Sequence, residues 1–73
     1  MLTRYQPFCI EFRTDGSVSR VRSGSGVSDV GHFYDDPKWG FGGCVMARNE
    51  EHAESEIRNE INKRRLSQTL EDE

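Results

Sequence analysis

Alternation of apolar and polar residues predicts a β-hairpin near the start of the chain. Positions 8–13 read Phe-Cys-Ile-Glu-Phe-Arg, so one face of this strand is apolar and the other is polar or charged. The pair Asp15-Gly16 follows, and such a pair is typical of a two-residue turn because glycine takes positive φ at little cost. The second strand is therefore expected over 17–23.

The register of this hairpin follows from the position of the turn. With Asp15-Gly16 at its centre, Ile10 lies opposite Val21 and Glu11 lies opposite Arg20. The first pair is apolar and the second is of opposite charge, so this single register is favourable on both faces of the sheet.

The middle of the chain is less regular. The Gly/Ser-rich residues 23–26 indicate a flexible break, and 27–34 form a possible third strand, although neither alternating set in it is cleanly apolar. Residues 35–38, Asp-Asp-Pro-Lys, are typical of a turn that binds its own backbone. Residues 39–43 mix bulky aromatics with glycines, and the last strand is expected over 44–47.

The last third of the chain predicts an amphipathic helix over 49–66. Asn49 is a suitable N-cap, and acidic residues follow it in the first turn, where they complement the helix dipole. The basic residues 63–65 are expected in the last turns for the same reason. One face of the helix carries an apolar residue at every fourth position, namely Ala53, Ile57 and Ile61.

These elements predict a small α+β domain over 1–70, followed by a frayed acidic tail over 71–73. Its sheet would have three or four antiparallel strands, with the C-terminal helix packed on one face. The other face would be open or would cover a partner, so the protein could be a monomer or a homodimer. The predicted core consists of Phe8, Ile10, Phe12, Val21, Phe33, Phe41, Val45, Ala53, Ile57 and Ile61.

Composition limits the possible functions. The chain has 73 residues, of which 33% are hydrophobic and 32% charged, which leaves room for one thin core and no deep internal cavity. No apolar run approaches the roughly 18 residues that span a bilayer. The first seven residues lack the apolar core of a signal peptide, so a cytoplasmic location with reduced thiols is expected.

Charge is distributed unevenly along the chain. The net charge is −3, which disfavours a dedicated nucleic-acid-binding protein. Residues 1–34 carry four basic and three acidic groups, a net of +1, whereas residues 35–73 carry six basic and ten acidic groups, a net of −4. A partner steered by this field is therefore more often basic than acidic.

The residues that could support chemistry do not form a recognised motif. Four potential zinc ligands, Cys9, His32, Cys44 and His52, match the number in a tetrahedral site but lack close paired spacing, so no metal is predicted. A cysteine with His32 could form a thiolate–imidazole pair, and 35–36 could supply an acid and a base. The glycines of 40–43 do not fit a nucleotide-binding fingerprint. The sequence predicts no cofactor and no enzymatic activity.

The leading hypothesis is a small protein-binding inhibitor that covers a basic surface of a larger partner. Size and acidity of this kind are typical of the inhibitors that mobile elements encode against host nucleic-acid machinery, of which anti-CRISPR proteins are one group. Loop aromatics are common interface anchors, and helix carboxylates complement arginine-rich grooves. The predicted partner-binding residues are Asp35, Asp36, Trp39, Phe41, Glu50, Glu51 and Glu54.

A small nucleic-acid-binding domain is the alternative hypothesis. In it, the outward residues of the hairpin would contact phosphates, and neighbouring aromatics would stack on bases. The opposite interpretation is that the same arginines pair with nearby acids and keep the sheet face hydrated. The candidate residues are Arg13, Arg20, Arg22 and Lys38.

Overall fold

The protein is a four-stranded antiparallel sheet with one helix on one face, which confirms the predicted α+β class. In a computed structural model, the backbone is described over residues 4–71 and the side chains over 4–67. The strand order is β2-β1-β4-β3, so β1 and β4 form the centre of the sheet. The elements are β1 (Gln6–Phe12), β2 (Val18–Ser23), β3 (Phe33–Asp36), β4 (Gly40–Ala47) and α1 (Glu50–Glu71).

The predicted register of the hairpin is confirmed. Ile10 pairs with Val21 and Glu11 pairs with Arg20 across β1 and β2. The register then shifts by one residue after Glu11, which is a β-bulge. The apolar pair faces the helix, so pairing and burial agree.

The turn of the hairpin is wider than predicted. A three-residue loop replaces the two-residue turn: the N–H of Gly16 donates to the carbonyl of Arg13 (2.9 Å), and the N–H of Arg13 donates to the carbonyl of Ser17 (2.8 Å). Gly16 has φ of 90°, the left-handed position that closes a loop of this type. The Asp15 carboxylate accepts from the N–H of Ser17 at 2.9 Å, which stabilises the wider turn.

The third strand is shorter and later than predicted. β3 covers 33–36, so the prediction of a strand over 27–34 is wrong for residues 27–32, which form a loop. Gly31 has φ of 96°, which interrupts extended backbone. The end of the loop nevertheless contacts β4, because Gly31 donates to the carbonyl of Cys44 (2.7 Å) and Cys44 donates to the carbonyl of His32 (2.9 Å).

The turn between β3 and β4 also lies later than predicted. It covers 37–39 rather than 35–38, and the Asp36 carboxylate accepts from the N–H groups of Lys38 (2.8 Å) and Trp39 (3.3 Å). The expected turn-binding aspartate is therefore present. β4 begins at Gly40, four residues before its predicted start at Cys44, because the glycine-rich segment pairs with both neighbouring strands.

The two consecutive glycines of β4 receive the two aromatic residues of β3. Phe33 pairs with Gly43 on the helix side, and Tyr34 pairs with Gly42 on the other side. A Cβ at Gly43 would lie 2.8 Å from Cε1 of Phe33, and one at Gly42 would lie 2.9 Å from the Tyr34 ring. Because these two glycines lack side chains, the ring of Phe33 packs on one face of the sheet and the ring of Tyr34 on the other.

The helix begins as predicted and continues farther. The N–H of His52 donates to the side-chain oxygen of Asn49 at 2.8 Å, which confirms the N-cap. α1 reaches Glu71 rather than ending at 66, because 67–71 contain no glycine or proline to stop it. The basic residues 63–65 consequently lie inside the helix, and 72–73 lie outside the described residues.

The core lies between α1 and one face of the sheet. Phe12 and Phe41 stack at its centre, with ring centroids 4.8 Å apart. Ala47 is fully buried although it was not predicted, and Val21, Phe33 and Val45 are only partly buried. No helix in the described part of the chain is both long and apolar enough to cross a membrane. The buried core residues are Phe8, Ile10, Phe12, Phe41, Ala47, Ala53, Ile57 and Ile61.

Candidate functional site

The fold separates the candidate residues onto two surfaces. Because side chains alternate along a strand, the residues between the buried positions of β1 point away from α1. We call the sheet surface that faces away from α1 the open face. The register of the strands places on it Cys9, Glu11, Arg20, Arg22, Tyr34 and Cys44.

The acidic helix start, defined as Glu50, Glu51 and Glu54, lies at the first turns of α1. Together with Asn49, these residues line a shallow depression in the surface. Glu54 pairs with Arg58 at 3.7 Å, whereas neither Glu50 nor Glu51 forms an ion pair within residues 4–67. The structure therefore brings three of the predicted partner-binding carboxylates together, and two of them form no ion pair among residues 4–67.

His52 connects the start of the helix to its surroundings. Its Nδ1 accepts from the N–H of Arg48 at 3.2 Å, and its Nε2 lies 3.3 Å from Glu56 Oε1. Its ring also meets Tyr5 edge-on, with centroids 6.0 Å apart. Both ring nitrogens thus have partners within the protein, so His52 has a structural role at the junction of β4 and α1.

The two predicted aspartates serve the fold in different ways. Asp35 accepts two bonds from Arg65, at 2.7 and 2.8 Å, so strand β3 is tied to the helix. The hydrogen bonds from Arg65 hold the pKa of Asp35 below its ordinary value, although partial burial opposes this. Asp36 binds the backbone of the following turn. Both carboxylates are engaged within the protein.

The two predicted aromatic anchors have opposite environments. Trp39 is 74% exposed, and the ammonium of Lys38 lies 5.5 Å from its ring centroid. Phe41 is only 7% exposed because it packs against Phe12, so its ring belongs to the core. Eight residues of β4, about 25 Å, separate Trp39 from the acidic helix start. The structure does not gather the predicted set into one patch.

Two of the candidate nucleic-acid-binding arginines lie on the open face. Arg20 is paired in register with Glu11, and Nη2 of Arg22 donates to Sγ of Cys9 at 3.7 Å. This contact and the nearby Glu11 raise the pKa of Arg22. Both arginines are exposed. Arg22 contacts Cys9 on the neighbouring strand, whereas Arg20 and Glu11 are cross-strand neighbours and form no ion pair among residues 4–67.

The other two basic candidates lie at one end of the sheet. Arg13 donates from Nη1 to the carbonyl of Val18 at 2.9 Å and is part of the hairpin loop. Lys38 belongs to the β3–β4 turn, which lies beside that loop because a Cβ at Gly40 would come within 3.2 Å of Arg13 Cα. Arg20 and Arg22 therefore lie on the open face of the sheet, and Arg13 and Lys38 lie together at one end of it.

The cysteines form a contact that sequence reasoning did not predict. Cys9 and Cys44 are cross-strand partners on the open face. Burial, and then the neighbouring Cys9, raise the pKa of Cys44 to about 12. His52 lies at the start of the helix on the other layer, and in the described part of the chain no three His, Cys, Asp or Glu residues are grouped to hold a metal ion. The one sequence signal for this pairing is that Cys9 and Cys44 both occupy outward-pointing positions of their predicted strands.

The fold and its surfaces define a class: a small α+β protein whose four-stranded antiparallel sheet is covered on one side by a capped helix. Comparison with protein-family models, with curated proteins and with solved structures finds no match to this chain. Function is therefore inferred from the residues themselves.

Proposed function

We propose that this protein is a small, non-catalytic module that binds a larger protein through the acidic helix start. Its carboxylates dock on a lysine- or arginine-rich surface that otherwise holds nucleic acid. Covering that surface makes the module an inhibitor, in the manner expected of anti-CRISPR-like proteins of similar size and acidity. One observation carries the proposal: Glu50 and Glu51 are exposed, and neither makes an ion pair among residues 4–67.

The local charge balance supports this proposal. Residues 50–57 contain four glutamates and neither lysine nor arginine. Acidic residues in the first turn interact favourably with the helix dipole and stabilise an exposed helix by about 0.3–1 kcal/mol each. Glu50 and Glu54, however, are like charges four residues apart, which opposes helix formation. A basic partner would relieve this repulsion.

The chemistry of such a contact determines how it should behave. Exposed charges attract over a distance of about 8 Å at physiological ionic strength, so association should slow and weaken as salt is added. Carboxylates recognise guanidinium groups with paired hydrogen bonds, so arginine on the partner is favoured over lysine. Nucleic acid should compete for the same basic surface.

The test is affinity purification from a nuclease-treated lysate of the source organism or its host. The test variant is the triple substitution Glu50→Gln, Glu51→Gln and Glu54→Gln, which removes charge without adding repulsion near the helix dipole. The matched control is Arg20→Gln with Arg22→Gln, on the opposite layer. We expect a protein that the wild type and the control retain, that the triple variant loses, and that dissociates as salt increases.

The outcomes separate the two hypotheses. A partner retained equally by the triple variant would contradict the proposal. Loss of every partner after nuclease treatment, with nucleic acid in the untreated sample that the Arg20/Arg22 variant fails to bind, would instead favour the nucleic-acid-binding alternative. Far-ultraviolet circular dichroism of each variant must match the wild type, so that loss of binding reports the surface.

A further inference from the structure

The backbone places the two cysteines in the arrangement that a cross-strand disulfide requires. Cys9 and Cys44 are directly opposite in the antiparallel β1–β4 pair. Both backbone groups of Cys44 bond to the 31–32 segment, at 2.7 and 2.9 Å, and so point away from β1. The two cysteines are therefore a non-hydrogen-bonded pair in this ladder.

That geometry fits a disulfide without movement of the strands. In a non-hydrogen-bonded antiparallel pair, the Cα atoms are about 4.5 Å apart and the side chains approach closely. A disulfide needs Cα atoms about 4.4–6.8 Å apart. The pair type therefore lies within the range that a disulfide accepts.

The two thiols have different surroundings. Cys44 is 5% exposed, and its high pKa keeps it protonated at neutral pH. Cys9 is half-buried and lies beside the guanidinium of Arg22, which donates to its sulfur at 3.7 Å. A cation beside a sulfur stabilises the thiolate, the reactive form. Cys9 is therefore placed to react first and Cys44 to react second.

We propose that Cys9 and Cys44 form a reversible disulfide by exchange with a low-molecular-weight disulfide such as glutathione disulfide. The Cys9 thiolate attacks one sulfur of glutathione disulfide, forms a mixed disulfide and releases one glutathione thiolate. Cys44 then attacks the Cys9 sulfur, gives up its proton and releases the second glutathione. The protein loses two hydrogen atoms, and one glutathione disulfide becomes two glutathiones, so atoms and electrons balance.

The reaction is tested on the reduced 73-residue chain with glutathione disulfide under native conditions. Mass spectrometry should show a monomer lighter by two hydrogen atoms, with neither cysteine open to alkylation after unfolding. Added dithiothreitol should restore both thiols. Persistence of two free thiols in excess glutathione disulfide, or a bond between two chains, would overturn the proposal.

Single variants establish the order of the two steps. Cys44→Ser should stop at a stable glutathione adduct on Cys9, whereas Cys9→Ser should gain almost no adduct because Cys44 is buried. If Cys44→Ser does not fold by circular dichroism, Cys44→Ala provides the same test without a buried hydroxyl. An adduct that forms on Cys44 as rapidly as on Cys9 would refute this order.

Arg22 acts as a positioning residue in this reaction. In the Cys44→Ala background, Arg22→Gln should slow adduct formation several-fold, because the sulfur of Cys9 loses its cationic neighbour. Arg22→Lys should restore part of the rate. Arg20→Gln is the matched control on the same strand and face, and equal rates in the Arg22 and Arg20 variants would remove Arg22 from the mechanism.

Discussion

Gly43→Ala should destabilise the protein because an aromatic ring occupies the place of the missing side chain. A Cβ at this position would lie 2.8 Å from Cε1 of Phe33 and 3.0 Å from the carbonyl oxygen of His32. Real Cβ atoms almost never approach other atoms within 3.0 Å, so the ring must move. The contact is not with the flexible end of a long side chain, because the Phe33 ring is itself packed beside the core.

The size of the effect follows from the cost of overfilling a packed site. Adding one methyl group to such a site costs about 1–3 kcal/mol. A chain of this length has about 4–11 kcal/mol of total stability, so the loss is a substantial share. At about 4–8 °C per kcal/mol, the thermal midpoint should fall by about 4–24 °C.

Urea unfolding followed by far-ultraviolet circular dichroism measures this loss. Fluorescence is a poor probe here because Trp39 is already 74% exposed in the folded state. Gly26→Ala is the matched control, since a Cβ there meets nothing within 4 Å and its backbone is not left-handed. The control should be unchanged or slightly stabilised, because alanine reduces the freedom of the unfolded chain.

A second substitution identifies the ring as the cause. Phe33→Leu alone should destabilise the protein. The double variant with Gly43→Ala should lose less stability than the sum of the two single losses, because leucine leaves room for the alanine Cβ. Strict additivity would refute the steric explanation. So would a Gly43→Ala variant as stable as Gly26→Ala.

Two further predictions concern the helix and its connection to β3. Ile57→Ala should cost about 2–5 kcal/mol in urea unfolding because Ile57 is fully buried, whereas Leu66→Ala, at a side chain 66% exposed, should leave the midpoint unchanged. Asp35 has a lowered pKa, so its pair with Arg65 stabilises the fold above about pH 3.8 and is lost as the pH falls through the lowered value. Carboxyl titration by NMR should show the Asp35 pKa rising towards its ordinary value in Arg65→Gln, and an unchanged pKa would contradict the pairing.

Local patterns predicted the elements whose determinants are close in sequence. Alternation over 8–13 and the charge pair of Glu11 and Arg20 fixed the hairpin register, and Asn49 fixed the helix start. The width of the hairpin loop was missed because Asp15 can close either a two- or a three-residue turn around glycine. The wider loop occurs together with the register shift between Glu11 and Phe12, which no local pattern encodes.

Features that depend on contacts between distant strands were not predictable in this way. The start of β4 at Gly40 is set by simultaneous pairing with β1 and β3 and by the aromatic rings that its glycines accept. The same pairing brings Cys9 and Cys44 together, and it links residues far apart in sequence. The separation of Trp39 from the acidic helix start likewise depends on the direction of β4.

The arginines of the helix explain how a chain with few apolar residues closes its core. Arg58 lies over the ring of Phe12 at 4.7 Å and also donates to the carbonyl of Gly16 at 3.0 Å. Arg64 lies over the ring of Phe33 with 4.9 Å to its centroid, and Arg65 lies over the ring of Phe41 with 5.2 Å to its centroid. Such contacts contribute about 0.5–1 kcal/mol each at exposed sites, and the alkyl stems cover apolar surface.

This use of basic residues divides the helix into two functional parts. From Arg58 onwards it holds the sheet through arginines that contact rings, a carbonyl and a carboxylate. Its first turns do not use Glu50 or Glu51 for any comparable contact among the described residues. Glu50 and Glu51 complement the helix dipole, but covering the core depends on the arginines and the apolar stripe. Glu50 and Glu51 are therefore exposed charges that no ion pair among residues 4–67 neutralises, and this is why the proposed contact with a basic partner is assigned to them.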